Sequence, residues 1–286
     1  MNHLRWYAAL VVLFFAGDHL GGLALQHTAD QSLFRYGRQY AGQASADVLL
    51  IGNSRGLALY QPYIEQITGL KTFNMSYNGL PADAATALAL DYLDRYPNLQ
   101  KIIIDVTLCD RENDALLAGF LTYAKHSDRL NHLIKDKIPS SWWGAQVSHL
   151  FRFNHEIYQR ALYYRNRSDE DWLLDRVISP ELAATAGEHN YDLDVSKYLI
   201  EQLHTLVDSA KAKGIGVTLL IGPYFPGFQV NNLDALKDDI EKTIGTPVKD
   251  YRFALSNPAY FGDFMHPNKS GSMAFIDFLK RDGVFD

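Results

Sequence analysis

Two short stretches carry residue types that could do nucleophilic chemistry together. The first is "DVLLIGNSRGLALY", Asp47 to Tyr60. Its apolar run, Val48 to Ile51, stops at Gly52-Asn53-Ser54-Arg55-Gly56 and resumes at Leu57. The second is "FGDFMHPNKSG" near the C-terminus, where Asp263 and His266 are spaced i, i+3. A serine hydroxyl is a weak nucleophile; it needs a base, and the base needs a group that orients it. Three residues apart in a turn, the Asp263 carboxylate can reach the imidazole of His266 and hold one tautomer. Each residue also has a plain reading. Ser54 could cap the segment that follows, Asp263 could cap a turn, and His266 could be a surface histidine before Pro267. Arg55 could bind a substrate carboxylate or phosphate, or brace its own loop through a salt bridge.

The elements that must position these groups alternate along the chain. "DVLLIG" (47–52), "KTFNM" (71–75), "KIIIDVTL" (101–108) and "IGVTLLIG" (215–222) have the short apolar or β-branched character of buried strands. Between and after them, residues 81–96, 195–214, 233–245 and 268–283 repeat apolar side chains at helical spacing. The helix at 81–96 opens on a proline; those at 195–214 and 233–245 close on a glycine. Such alternation implies an α/β fold, a doubly wound three-layer parallel sheet with helices on both faces. Ligands in such sheets bind at the carboxyl ends of strands. Ser54 follows the first strand and the D-x-x-H pair precedes the last helix, so both are expected at that edge.

Two regions stand outside the alternation. Residues 110–190 are rich in aromatic and charged residues and read as a helical insertion. Its Trp142, Trp143, Tyr163, Tyr164 and Trp172 could form a sugar-stacking surface or, more simply, core. The N-terminus holds "WYAALVVLFFA" (6–16), preceded by Arg5 and extended to Leu25 at the cost of Asp18 and His19. That reaches roughly the twenty residues of a spanning helix. With no small-residue cleavage site after it, an uncleaved transmembrane anchor over 1–26 is expected. Residues 26–46 then read as a linker or entry segment, and 27–286 as one α/β domain carrying the insertion. Arg5 lies on the short side, which places the bulk of the chain outside the cytoplasm.

Composition narrows the classes. The formal charge is −6 and no Lys/Arg stripe is present, so nucleic acid is not an expected partner. Cys109 is the single cysteine, so no disulfide forms within the chain. The histidines show no metal-ligand spacing, and "KGIGVTLLIG" lacks a full dinucleotide fingerprint; no metal and no cofactor is expected.

"LLIGNSRG", "FNMSYNGLP" and "GDFMHPN", taken together, resemble the blocks of the SGNH (GDSL-like) hydrolases. The resemblance implies an SGNH-hydrolase-like fold with Ser54 as nucleophile and Asp263 and His266 as its partners. It also implies an oxyanion hole from the N–H groups of Ser54 and Gly79, each such donor typically worth roughly 3–4 kcal/mol. Strand three does not continue into the family's G-x-N-D box. Asn113 lies further on than the pattern allows, Thr107 or Asp105 sits nearer, and the third donor is left to Asn78 or to nothing. A narrower resemblance is to membrane-anchored relatives such as the alginate acetyltransferases and the D-alanyl transfer proteins of teichoic acids. It rests on the anchor, the "LLxGxSR" block, the missing asparagine block and the D-x-x-H.

The expected function is therefore that of an extracytoplasmic serine acyltransferase or esterase. It would act on O-acyl groups, O-acetyl first among them, of a cell-surface polysaccharide. Its partners would be the membrane and a membrane-bound O-acyltransferase. The alternatives are a plain SGNH carboxylesterase and a non-catalytic scaffold.

Overall fold

A computed structural model describes residues 2–169 and 173–286. The chain folds as two compact units. One joins the residues up to Gln43 with Asp114–Asp169; the other comprises Ala44–Asn113 and the chain from Glu170 onward.

The second unit is the α/β body. Five parallel strands stand in the order β2-β1-β3-β5-β7: β1 Val48–Ile51, β2 Thr72–Asn74, β3 Lys101–Asp105, β5 Gly216–Ile221 and β7 Val248–Asp250. A separate parallel pair joins β4 (Asn190–Tyr191) to β6 (Gln229–Val230). Val48, Leu49, Leu50 and Ile51 pair in register with Lys101, Ile102, Ile103 and Ile104. All four β1 residues are buried, as a central strand covered on both faces requires. Alternation sends Val48, Leu50, Ile103 and Leu220 into one core with Ile64, Phe275, Ile276 and Leu279. Those last four come from the helices Gln61–Thr68 and Lys269–Arg281, which pack on each other. The helices Ala82–Arg95, Lys197–Ala212 and Leu233–Ile244 pack in series as a separate group. The chain leaves β1 toward β2 on one side and returns to β3 on the other, so the switch point lies at the ends of β1 and β3.

Most expected elements form with trimmed ends. Asn268 caps the last helix by accepting from Gly271 N, and Ser196 caps Lys197–Ala212. Strand three stops at Asp105, three residues before its apolar run ends. The Asp105 side chain accepts from Thr107 N and turns Val106–Cys109 into a 3₁₀ helix.

The first unit is helical. The N-terminal helix runs Asn2–Asp30 and is long and apolar enough to cross a membrane, or to be a signal sequence. Residues 26–46 are not a linker. The N-terminal helix continues through 26–30, and a second, largely buried helix forms at Arg35–Tyr40. The reason is pairing within the unit. Arg35 forms a buried ion pair with Asp169 at 2.9 Å, and Tyr36 packs edge-on against Phe120. Asp30 accepts from Gln26, Lys125 and His126. The stretch expected as an insertion divides: Asp114–Asp169 lies in this unit, and 173–190 in the α/β unit. Of the aromatic residues there, Tyr164 is buried and stacked on Phe34, and Trp142 donates to Asn131. Trp143 and Tyr163 are exposed. Trp172 lies outside the described residues.

Candidate active site

Ser54 stands in the turn that ends β1. The turn is held from below by Asn53, whose Oδ1 accepts from Arg55 N at 3.0 Å while its Nδ2 donates to Thr107 O at 2.9 Å. Thr107 in turn donates to Asp105 Oδ1 at 2.6 Å. The end of β3 thus supports the serine turn. Close packing continues on the far side, where a Cβ placed on Gly56 would lie 2.4 Å from Ser76 Oγ. A side chain there would have to displace the Ser76 hydroxyl.

The "GDFMH" turn brings the second stretch to the same place. His266 Nε2 lies 2.9 Å from Ser54 Oγ. His266 Nδ1 lies 2.9 and 3.1 Å from the two Asp263 oxygens. Asp263 Oδ1 also accepts the N–H groups of Met265 and His266, each at 2.9 Å. Burial alone would raise the Asp263 carboxyl. The hydrogen bond and charge of His266, with the two amides, outweigh it and hold the group below its ordinary value. With Nδ1–H given to that carboxylate, Nε2 is left as an acceptor facing the serine hydroxyl. This is the geometry of a serine activated by an oriented imidazole.

Arg55 answers the question its sequence position leaves open. It is only 5% exposed. Nη1 donates to Met265 O at 2.5 Å, and Nη2 donates to Gly222 O and Pro223 O at 2.7 and 3.1 Å. The guanidinium lies 3.6 Å from the centre of the Tyr224 ring, with Asp105 4.0 Å from Nε. Burial pushes the Tyr224 phenol up to about 12, so the ring stays neutral under the cation. Arg55 also borders the larger cavity at Ser54. Its donors are directed at backbone carbonyls, and it braces the loop that carries His266.

Two cavities meet at Ser54, Gly79 and His266. One, of about 350 Å³, has an apolar wall from Leu57, Ala58, Leu173, Leu174 and Pro267, with Asn78 at its edge. The other, of about 440 Å³, joins a polar wall of Asp110, Arg111, Asn113 and Tyr191 to an apolar one of Leu80, Leu108, Leu193 and Met265. Gly79 adopts a left-handed φ of +66°, and its carbonyl accepts from Asn113 Nδ2 at 3.0 Å. Asn113, set aside by its sequence distance from the strand-three pattern, thus reaches the rim by another route. Thr107 and Asp105, the nearer alternatives, are engaged beneath the turn. In the polar wall, Asp110 accepts from Tyr191 Oη at 2.6 Å and pairs with Arg111 at 3.1 Å. Tyr191, Tyr224 and Arg111 carried no signal in the sequence, because tertiary folding alone brings them to Ser54.

No protein-family model matches the chain, and no curated protein matches it. Solved structures do. A Bacteroides fragilis NCTC 9343 protein, provisionally named an acylhydrolase, is 15% identical over 87% of this chain and 93% of its own, with a TM-score of 0.44. A Streptococcus pneumonia protein, provisionally named a platelet activating factor, is 13% identical over 97% and 98%, with a TM-score of 0.43. A GDSL-like lipase from Bacteroides thetaiotaomicron VPI-5482 is 13% identical over 87% and 97%, with a TM-score of 0.42. Likenesses of this size leave the chemistry of the site to its own geometry.

Proposed function

We propose that this chain is a serine acyl-ester enzyme of the SGNH type, tethered to a membrane outside the cytoplasm and acting on O-acyl groups of a cell-surface polysaccharide. The observation that carries the reading is the continuous chain Ser54 Oγ, His266, Asp263, at 2.9 Å for each near contact, open to two cavities. His266 Nε2 takes the proton of Ser54 as Oγ bonds to the ester carbonyl carbon. The N–H groups of Ser54 and Gly79 hold the resulting oxyanion. Collapse breaks the bond to the leaving oxygen, which receives the proton from His266 and departs as an alcohol. The acyl-serine is then attacked by an acceptor hydroxyl whose proton passes to His266, and Ser54 leaves with that proton. A sugar hydroxyl in this step makes the protein a transferase; water makes it an esterase. The acyl group and the alcohol occupy the two cavities that meet at Ser54. A membrane-bound O-acyltransferase supplies the acyl group in this scheme.

The direct test is acylation of the envelope polymer in cells carrying Ser54→Ala. Loss of polymer acylation supports the reading, and unchanged acylation sinks it. Covalent labelling by a fluorophosphonate, dependent on Ser54 and His266, separates an enzyme from a non-catalytic scaffold. Purified protein given p-nitrophenyl acetate and a soluble glycan then decides between transfer and hydrolysis. Acyl glycan formed in preference to acetate is the result expected of a transferase.

A further inference from the structure

The helical unit exposes what the α/β unit buries. Of the 21 large exposed hydrophobic side chains among the described residues, 18 lie in the helical unit. Fifteen of these form two groups around one contact. The N-terminal helix is exposed at every position from His3 to Gly17 and first buries a residue at Asp18. Asp18, only 6% exposed, accepts from Ser148 Oγ at 2.5 Å, His149 N at 2.6 Å and Leu150 N at 3.3 Å. One turn on, Gly22 lets this loop press against the helix, since a Cβ there would lie 2.4 Å from that of His149. The clamped loop ends the short helix Pro139–Val147, in which Ala145 alone is buried. Trp143 and Val147 of that helix are 61% and 65% exposed, and Leu150 and Phe151 follow on the loop. On the N-terminal helix, Leu20 and Leu23 continue the exposed apolar surface past Asp18.

Length and charge say what covers this surface. The freely exposed stretch, residues 3–17, spans about 22 Å at about 1.5 Å per residue, short of the ~30 Å hydrocarbon core. Carried through Leu23 the same helix spans about 31 Å, which brings Asp18 and its clamp to membrane depth. Asp18 meets the condition for a polar group there, because the loop supplies its donors. The unit holds eleven Lys/Arg against seven Asp/Glu, a formal +4 within a chain of −6. Lys135 and Lys137 directly precede the exposed helix, and Lys135 lies over the Trp142 ring. Tryptophan with flanking lysine is the composition of a membrane–water boundary.

We infer that Pro139–Phe153 is a collar around the N-terminal helix, seated in the headgroup–acyl boundary of an anionic phospholipid bilayer. The inference rests on the membrane tether of the proposed function and adds a second, folded point of contact. The collar fixes the depth of the helix by holding Asp18, and its apolar side chains extend the anchor's buried surface.

The test uses the full chain in vesicles of phosphatidylethanolamine and phosphatidylglycerol. The variants Leu10→Cys, Val147→Cys, Leu150→Cys and Leu182→Cys, each adding one cysteine, carry an environment-sensitive fluorophore there. Native Cys109 is fully buried and its thiol held protonated by burial, so it does not compete for label. Probes at 10, 147 and 150 should be quenched several-fold more by nitroxide lipid than the probe at 182, and shielded from aqueous iodide. Positions 147 and 150 as open to iodide as 182, with 10 shielded, overturn the collar and leave the tether standing. Position 10 open as well overturns both. Positions 147 and 150 shielded from iodide but untouched by nitroxide lipid are covered by a second copy of the chain, which also overturns the inference. In phosphatidylcholine vesicles, lipid quenching at 147 and 150 should fall several-fold; equal quenching in both lipids overturns the anionic assignment.

Discussion

Asp18 and Asp263 are the same device in two units put to different ends. Each is a carboxylate accepting three donors from a tight loop. For Asp18 they are Ser148 Oγ, His149 N and Leu150 N. For Asp263 they are Met265 N, His266 N and His266 Nδ1. The Asp18 donors come from about 130 residues away, so the carboxylate fastens a loop to a helix. The Asp263 donors come from its own turn, so it shapes that turn and aims one imidazole nitrogen outward. The units around them differ accordingly. The helical unit carries +4 and exposes apolar side chains; the α/β unit carries −10 and buries them. A carboxylate that closes a loop on itself leaves a side chain free to react, whereas one that joins distant segments contributes rigidity alone.

Five substitutions break or sharpen that contrast. The largest effect is expected in the α/β unit. Ser54→Ala should lower the rate of ester turnover by about 10⁴-fold or more, and fluorophosphonate labelling should vanish with the fold intact by circular dichroism. Asp263→Asn should cost about 10³- to 10⁴-fold in kcat with little change in KM, because the amide favours the wrong imidazole tautomer. Burst kinetics with p-nitrophenyl acetate read this directly, and a rise in KM alone would remove Asp263 from the mechanism. Asp18→Ala strands three donors in the helical unit and should cost about 2–4 kcal/mol there. Limited proteolysis should then cut within residues 114–169, while Ser54 labelling per folded molecule holds. A fall in labelling as large as that of Asp263→Asn would erase the distinction between the two carboxylates. Gly56→Ala, pressed against Ser76, should destabilise by about 1–3 kcal/mol, and Ser76→Gly should restore part of it. Urea midpoints of the single and double variants measure the coupling.

Acid adds a smaller and signed effect. The Asp263 carboxyl is held below its unfolded value of about 3.9, so its contribution to stability is full above that pH and lost as pH falls through the lower folded value. The difference in urea midpoint between the wild-type chain and Asp263→Asn should therefore be constant from pH 8 to about pH 5 and shrink below about pH 4. A gap that grows on acidification would reverse the sign assigned to this group.

The parts legible in the sequence are those fixed by local chemistry. Ser54 could be read because an apolar strand ending in a glycine-flanked serine is a local pattern. The Asp263–His266 pair could be read because both partners lie within one turn. Parallel pairing followed from alternation of strands and helices. Distant pairing escaped. Arg55 looked equally suited to substrate and to bracing, because its partners Met265, Gly222 and Pro223 come from two other loops. Residues 26–46 looked like a linker because the polar side chains that suggested solvent, Gln26, Asp30 and Arg35 among them, find their partners in residues 122–169. Asn113 was discounted by its distance from strand three, yet the turn beginning at Asp105 shortens that strand and carries the chain back to Gly79.

The bond from Arg55 to Met265 O joins segments 210 residues apart. Ser54 is made 212 residues before His266, and neither its base nor the brace that positions that base exists until the chain has reached that residue. Until then the serine has no partner. On the proposed mechanism it is inert toward the esters of the cytoplasm. On that mechanism reactivity arises when the loop that carries His266 closes onto the turn that carries Ser54, so long-range folding itself switches the chemistry on.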